Sequence, residues 1–508
     1  MGAILFARAP FLPMTLRCLF VDFNSYFASV EQHDDERLRD RPVAVAPVMA
    51  DSTCCIAASY EAKAFGVKTG TPVWEARKLC PELIVREARP ARYVAMHHRL
   101  MAAIEDCIPH GHPESIDEVP CWLIGRERER SNAEAIAHRI KQKLAELSPA
   151  IRCSIGIAPN KFLAKTASDM LKPDGLTVIE LSDLPHKLHS LELRDFCGIG
   201  PSMEQRLRAA GLHTVQQLCA ASRQQLHTAW GSIEGERYWL QLRGLDVPVR
   251  ATRRSSIGHS HVLGPELRSF EGARAVLFKL LAKAAMRLRH EQFLAAGLSL
   301  RIRFVGLEKR FERDLAFAPL DDTPTLLDLL GEQLAALERA MRRGRWQPRR
   351  HPPLSVAVTL TGLEPVGSVS HELIDSRGRA KAVSTTLDSI NQRYGNNTLY
   401  FGAMQQALSH DAAPMRIPFS KIPEIGLEED VVTHKHAGGD DAVSDDAHEL
   451  YRLRERQFKV LAEHAHREVQ RKPGYKPRQP AAPYGASSWA RAVDKPDAIP
   501  AGTTLPLF

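Results

Sequence analysis

Three carboxylates stand where extended, apolar segments end. Asp22 closes the run LRCLFVDFN, and the adjacent pair Asp117-Glu118 lies within HPESIDEVPCWLIG. A carboxylate among apolar neighbours is costly unless something positive pairs with it. If the two segments are neighbouring strands, Asp22, Asp117 and Glu118 form one cluster, and bound Mg²⁺ can supply the missing charge. One ion would then lower the pKa of an attacking hydroxyl while a second clamps phosphates and stabilises leaving oxygens. Taken alone, Asp22 reads more simply as a strand-end cap and Asp117-Glu118 as a solvated turn. The neighbours decide.

The elements that must position these groups are legible from periodicity. LRCLFVDFN reads as a buried strand, followed by a helical stretch and the strand PVAVAPV. HPESIDEVPCWLIG reads as two short strands meeting near a turn. Ile136, Ile140 and Leu144 line one face of a helix predicted over 131–147, with Ser131 and Glu134 as its capping box. The strand IRCSIGIA, the helix NKFLAKTASDMLK and the strand LTVIEL complete an alternating α/β unit. From Leu184 to about Leu245 the pattern is helical with glycine turns. After the basic link VRATRRSS the order is strand, helix, strand, strand, helix, strand, which predicts a four-stranded sheet backed by two helices.

At 508 residues the chain is too long for one core, so several domains are expected. Its net charge of +8 suits a nucleic-acid partner without requiring one. Nine cysteines, with no C-x-x-C pair, argue against structural disulfides and zinc, and favour a reducing cytoplasm. No apolar run is long enough to span a bilayer. The stretch MGAILFARAPFLP reads as a loose leader ahead of Met14. Leu387 to Leu408 reads as a folded extension, and the proline-rich end as disordered apart from a polar helix over 446–471.

VDFNSYFASVE, SYEAKAFGVKTGTP, ESIDE and SIGIAPNKFLAKTASDMLKPDG resemble the successive motifs of the Y-family DNA polymerases, in order and spacing. The resemblance runs from about Leu16 to Gly362 and implies a multidomain α/β (α+β) right-hand polymerase. It implies a ferredoxin-like palm (14–26 and 90–182), small fingers (27–89), a helical thumb (183–248) and a βαββαβ little finger (249–364). A C-terminal extension (365–428) and a largely disordered tail (429–508) follow. Under the resemblance, Asp22, Asp117 and Glu118 are catalytic and hold two Mg²⁺ ions, with the Phe23 carbonyl as a further ligand. Phe27 is the steric gate against a ribose 2′-hydroxyl, and Tyr60, Lys63 and Lys172 contact the triphosphate. Some positions depart from the pattern. Lys63 stands where the polymerase IV (DinB) branch commonly has arginine, Ala64 replaces a basic residue, and VPCW is atypical. EAKAFGVKTG with Asn24 resembles the polymerase V (UmuC) branch, which leaves the subfamily open.

For DNA, Gly198 and Gly200 frame Ile199 in a hairpin that the resemblance identifies with a helix-hairpin-helix. Arg301 and Arg303 alternate with apolar residues in LSLRIRFVG, so one face of that strand presents guanidinium groups. With Lys309, Arg310 and Arg313 they could follow DNA phosphates. Leu505, Leu507 and Phe508 in the terminal TTLPLF resemble a bacterial sliding-clamp-binding peptide, although Thr504 stands for its leading glutamine. The implied activity is primer extension with dNTPs past damaged bases, at low processivity, by a monomer or a repair-complex subunit. A non-catalytic DNA- and clamp-binding accessory is the alternative, and the retained carboxylates count against it. A palm-domain nucleotidyl cyclase would leave the thumb and little finger without a purpose.

Overall fold

The structure, a computed structural model, describes residues 16–248, 253–307, 310–343, 351–368, 377–419, 421–424 and 428–430. Along the chain the first strands are β1 (Cys18–Phe23), β2 (Val43–Ala46), β3 (Ala57–Ala58) and β4 (Ile84–Glu87). They are followed by β5 (Glu118–Trp122), β6 (Cys153–Ala158) and β7 (Leu176–Val178). A later group comprises β8 (Ser256–Val262), β9 (Phe293–Phe304), β10 (Phe311–Leu320) and β11 (Pro353–Pro365).

All six residues of β1 are buried, because it lies inside a sheet of order β5-β1-β6-β7 with both faces covered. β1 runs antiparallel to β5 and β6, and β6 runs parallel to β7. The two-residue side-chain period divides β1 cleanly. Leu19, Val21 and Phe23 join one core with the helices Pro90–Glu105 and Arg130–Leu147. Cys18 and Phe20 join a second core with the helix Lys161–Met170 and the helical module that follows. Asp22 has the parity of Cys18 and Phe20, so it faces that second helix. The approach there is very close. A Cβ added at Gly156 of β6 would lie 2.0 Å from the Ala164 carbonyl oxygen and 2.4 Å from the Ser168 nitrogen.

β3, β2 and β4 form a smaller sheet with its own alanine-rich core. The late strands form a sheet of order β10-β9-β11-β8, backed by the helices Phe270–His290 and Thr323–Arg343. This is the βαββαβ order expected.

Three expectations need correction. The helix predicted from Ser131 begins at Arg130 and is capped by no side chain. Glu134 instead pairs with Arg130 at 2.9 Å, so the proposed box is an ion pair within the first turn. HPESIDEVPCWLIG holds one strand, β5, and the residues before it make only isolated bridges. The tail predicted to begin at residue 429 does not begin there, since Asp430 is buried against Lys279 and Lys283. The expected leader, the polar helix over 446–471 and the clamp peptide Leu505, Leu507 and Phe508 lie outside the described residues, as does Lys309. Among the described residues no helix is long and apolar enough to cross a membrane.

Candidate active site

β1 ends in an abrupt turn. Phe23 donates its amide to the Asp117 carbonyl at 2.8 Å, and Asn24 donates to the Arg152 carbonyl at 2.9 Å. Asn24 also bonds Ser154 and accepts from the Asp174 amide, holding the loop after the helix Lys161–Met170 against the sheet. Ser25 then takes a left-handed conformation (φ 50°), a strained choice for a residue with a side chain. That turn starts the helix Tyr26–Asp34 directly at the strand end.

Register places Asp22 opposite Glu118 on β5 and Ser154 on β6. Asp22, Asp117 and Glu118 are only 4%, 9% and 8% exposed, so their charges need partners. The Lys165 ammonium supplies one, contacting Asp22, Glu118 at 2.9 Å and Asp169 at 3.1 Å. Lys172 supplies another, 2.7 Å from Asp22 and 2.8 Å from Asp169. Burial raises the Asp22 pKa, but the two lysines outweigh it and hold the carboxyl below its ordinary range. Burial likewise opposes charge on Lys165, yet Asp22, Glu118 and Asp169 hold it well above the usual lysine value.

Asp117 differs. Its carboxylate accepts a hydrogen bond from Ser115 at 2.6 Å, and its pKa is pushed up to about 7, first by burial and then by Glu118 and Asp22. Among the described residues no three His, Cys, Asp or Glu side chains already surround a common point. Asp22 and Glu118 converge on an ammonium, and Asp117 turns to a hydroxyl. The donor chemistry nonetheless fits a hard divalent cation: three buried carboxylates, all oxygen, with Asp117 short of positive charge.

The expected nucleotide residues gather beside this cluster. Lys63 donates to the Ser25 hydroxyl at 2.8 Å and lies 4.2 Å from the centre of the Tyr60 ring. Ser25 caps no amide, so its side chain is left to hold the lysine. Burial raises the Tyr60 pKa, opposed by Lys172. Phe27 is buried, stacked on Tyr93 with ring centres 4.6 Å apart. Tyr26 donates to the Tyr93 carbonyl at 2.7 Å, and Tyr93 donates to Glu31 at 2.9 Å, so the helix Tyr26–Asp34 is fixed to the helix Pro90–Glu105.

Lys63 carries a pH prediction. Burial, then Lys172, lowers its pKa to about 8. The ammonium is present below that value and lost above it, so the phosphate attraction expected of Lys63 weakens as pH rises through about 8. The KM for an incoming nucleotide is expected to climb across pH 8, and Lys63→Arg, always charged, should flatten that climb. Equal pH profiles for both proteins would exclude Lys63 as the titrating group. For folding the sign reverses: the unfolded chain holds this proton up to about 10.5, so stability from Lys63 grows between pH 8 and 10.5.

The hairpin glycines lie on the Asp22 side of the sheet, in the module that shares its core with the helix Lys161–Met170. Gly198 has φ +87°, and Gly200 precedes the helix Pro201–Ala209. Arg301 and Arg303 lie apart, on β9 of the later sheet. Arg303 is exposed, whereas Arg301 pairs with Glu312 at 2.5 Å, a carboxylate that Arg310 also contacts.

The sequence reading passed over Lys165, Asp169, Ser115 and Tyr93. Lys165 and Asp169 are four apart on one helix, a spacing that puts them on one face and offered a signal. Tyr93 had none, since its role depends on contacts across more than sixty positions.

The impB/mucB/samB family model matches residues 21–169, its C-terminal domain 254–373, and its HHH motif 182–212. DNA polymerase IV of Moorella thermoacetica is 34% identical over 391 residues, covering 75% of this chain and 94% of that protein. DNA polymerase IV of Halorhodospira halophila is 32% identical over 351 residues, covering 69% and 96%. A solved Y-family DNA polymerase chimera of 23% identity shares the fold, with a TM-score of 0.56 over 69% of this chain and 99% of its own. The chain belongs to the impB/mucB/samB family and is a DinB-like Y-family DNA-directed DNA polymerase.

Proposed function

We propose that this chain extends DNA primers past damaged template bases at low processivity, with Asp22, Asp117 and Glu118 as its metal-holding carboxylates. The observation that carries this reading is the burial of three carboxylates at the β1–β5 junction, where Asp22 and Glu118 share the Lys165 ammonium, Lys172 pairs with Asp22, and Asp117 lies close enough to feel both carboxylates. Those carboxylates and the Phe23 carbonyl would hold two Mg²⁺ ions, which supply Lewis-acid stabilisation of the primer hydroxyl and the phosphates when bound. The reaction joins the primer 3′-hydroxyl to the α-phosphate of a dNTP and releases pyrophosphate.

The chain's own groups do the rest. Lys63, Lys172 and Tyr60 donate to the triphosphate, and partial burial strengthens each interaction. Lys172 must exchange Asp22 for a phosphate oxygen to do so. Lys165 stays with Asp22 and Glu118 and limits their mutual repulsion. Phe27 closes the space a 2′-hydroxyl needs. The residue ranges named above as palm, fingers, thumb and little finger are proposed as the units that assemble around DNA. Gly198 and Gly200 bring backbone close to one phosphate strand, and Arg303 marks the face of β9 that meets the duplex, joined by Arg301 if phosphate displaces Glu312. The terminal Leu505, Leu507 and Phe508 are proposed to dock in a sliding clamp.

Primer extension by the full chain with Mg²⁺ and dNTPs, on intact and abasic templates, tests the reading. Extension on both, with primer-template affinity falling steeply with salt, is expected. Failure to extend either template would favour the accessory reading. In the same assay, removal of residues 503–508 should reduce clamp-stimulated synthesis and spare the basal rate; equal loss of both would exclude the clamp role.

A further inference from the structure

The family models end at residue 373, but the chain then returns to the core beneath β1. Met404, Ala407, Ala412 and Ala413 are buried in the core of the β8–β11 sheet. Two residues later Met415 is buried in the core beneath β1, and Ile417, Phe419 and Ile422 pack on that same core. The segment between is therefore a strap joining two domains, and it is anchored at both ends.

At the first end, Lys279 and Lys283 rise from the helix Phe270–His290 and are 0% and 5% exposed. Lys279 donates to the Ala412 carbonyl at 2.5 Å, and Lys283 to those of Ala413 at 2.9 Å and Pro414 at 2.6 Å. Asp430 neutralises both ammonium groups, at 2.6 and 2.8 Å. Arg416 of the strap forks onto Glu428 at 2.6 and 3.0 Å. At the second end, the Phe419 carbonyl accepts from the amide of Ile116, at 2.9 Å, immediately before Asp117. The Phe419 ring meets Phe27 with centres 5.7 Å apart and planes inclined at 60°.

Phe27 is thus held by two aromatic rings from distant parts of the chain, Tyr93 and Phe419. The contact lies in the hydrophobic core beneath β1. We propose that residues 412–419 form a wall of the nucleotide pocket, in which Phe419 is a positioning residue that fixes the Phe27 ring and so sharpens selection of deoxyribo- over ribonucleoside triphosphates. This rests on the reading of Phe27 as the sugar gate. A gate that can tilt admits a 2′-hydroxyl, and an aromatic partner restricts tilting.

The test is single-nucleotide insertion by the full chain, comparing kcat/KM for a dNTP and its matching rNTP. Phe419→Ala should lower the dNTP-to-rNTP ratio roughly two- to tenfold, the value of one aromatic pair expressed as a ratio. Phe419→Tyr should keep the wild-type ratio. Phe419→Leu preserves bulk without the ring, and should lower the ratio even if the alanine variant folds poorly. An unchanged ratio in Phe419→Leu, with a collapsed ratio in Phe27→Ala, would overturn the strap's role and leave the gate reading standing. An unchanged ratio in Phe27→Ala would overturn the gate reading and this inference with it. Faster insertion of both nucleotides at a constant ratio would make the strap an obstruction, which also overturns the proposal.

Discussion

Asp117→Ala is expected to reduce primer extension by about 10³-fold or more, because charge stabilisation at a metal site contributes several kcal/mol to the transition state. The expected signature is a loss of activity without a loss of fold. Asp117 is buried beside Glu118 and Asp22, and it accepts a hydrogen bond from the neutral Ser115 hydroxyl. Its removal relieves repulsion between carboxylates, so metal-free Asp117→Asn should unfold no earlier than the wild type. Asp22 makes the informative contrast. Its loss strips Lys165 and Lys172 of a shared counter-charge, so Asp22→Ala should lose activity and stability together. Parallel primer-extension and thermal-unfolding measurements separate the two patterns. Substantial extension by Asp117→Ala would remove this carboxylate from the mechanism.

The largest stability effect is expected at Asp430, far from the chemistry. It is the carboxylate that pairs with both Lys279 and Lys283, and it also accepts from Asn396 and Asn397. Even with it present, burial pushes Lys283 down to about 8. Removing one partner of a buried ion pair costs roughly 3–5 kcal/mol, because the remaining charge is uncompensated. Asp430→Ala should therefore lower the urea midpoint and speed hydrogen exchange in the helix Phe270–His290. Adding Lys279→Met and Lys283→Met should recover part of the loss by removing the stranded charges. A midpoint equal to that of the wild type would show that the lysines need no carboxylate there.

The sequence made some of this legible and hid the rest for physical reasons. Period-two patterning exposed β9 correctly, with Leu298, Leu300 and Ile302 buried and Arg303 exposed. The continuous apolar run at β1 announced a buried strand. Side-chain partnerships were another matter. That Arg301 would be claimed by Glu312 depends on the pairing register of β9 with β10. Lys165 meets Asp22 across 143 positions, and Phe419 reaches Phe27 through a segment with no motif of its own. Ser131 was a plausible cap by residue type, but Arg130 with Glu134 started the helix one residue earlier. Local rules describe what a segment prefers; they do not say which remote group will answer a buried charge.

Gly156 bears on how the site could be lost. The helix carrying Lys165 rests on bare backbone there, and a methyl group at 2.0 Å from a carbonyl oxygen would have to move to ordinary contact at 3.4 Å or more. The helix, the strand or both would have to yield, and the ammonium would leave Asp22 and Glu118. Every ionisable group would still be present in such a protein, in the right order along the chain. The position of the charge is thus written into a residue that carries none, and an inventory of polar side chains would score a disabled enzyme as intact.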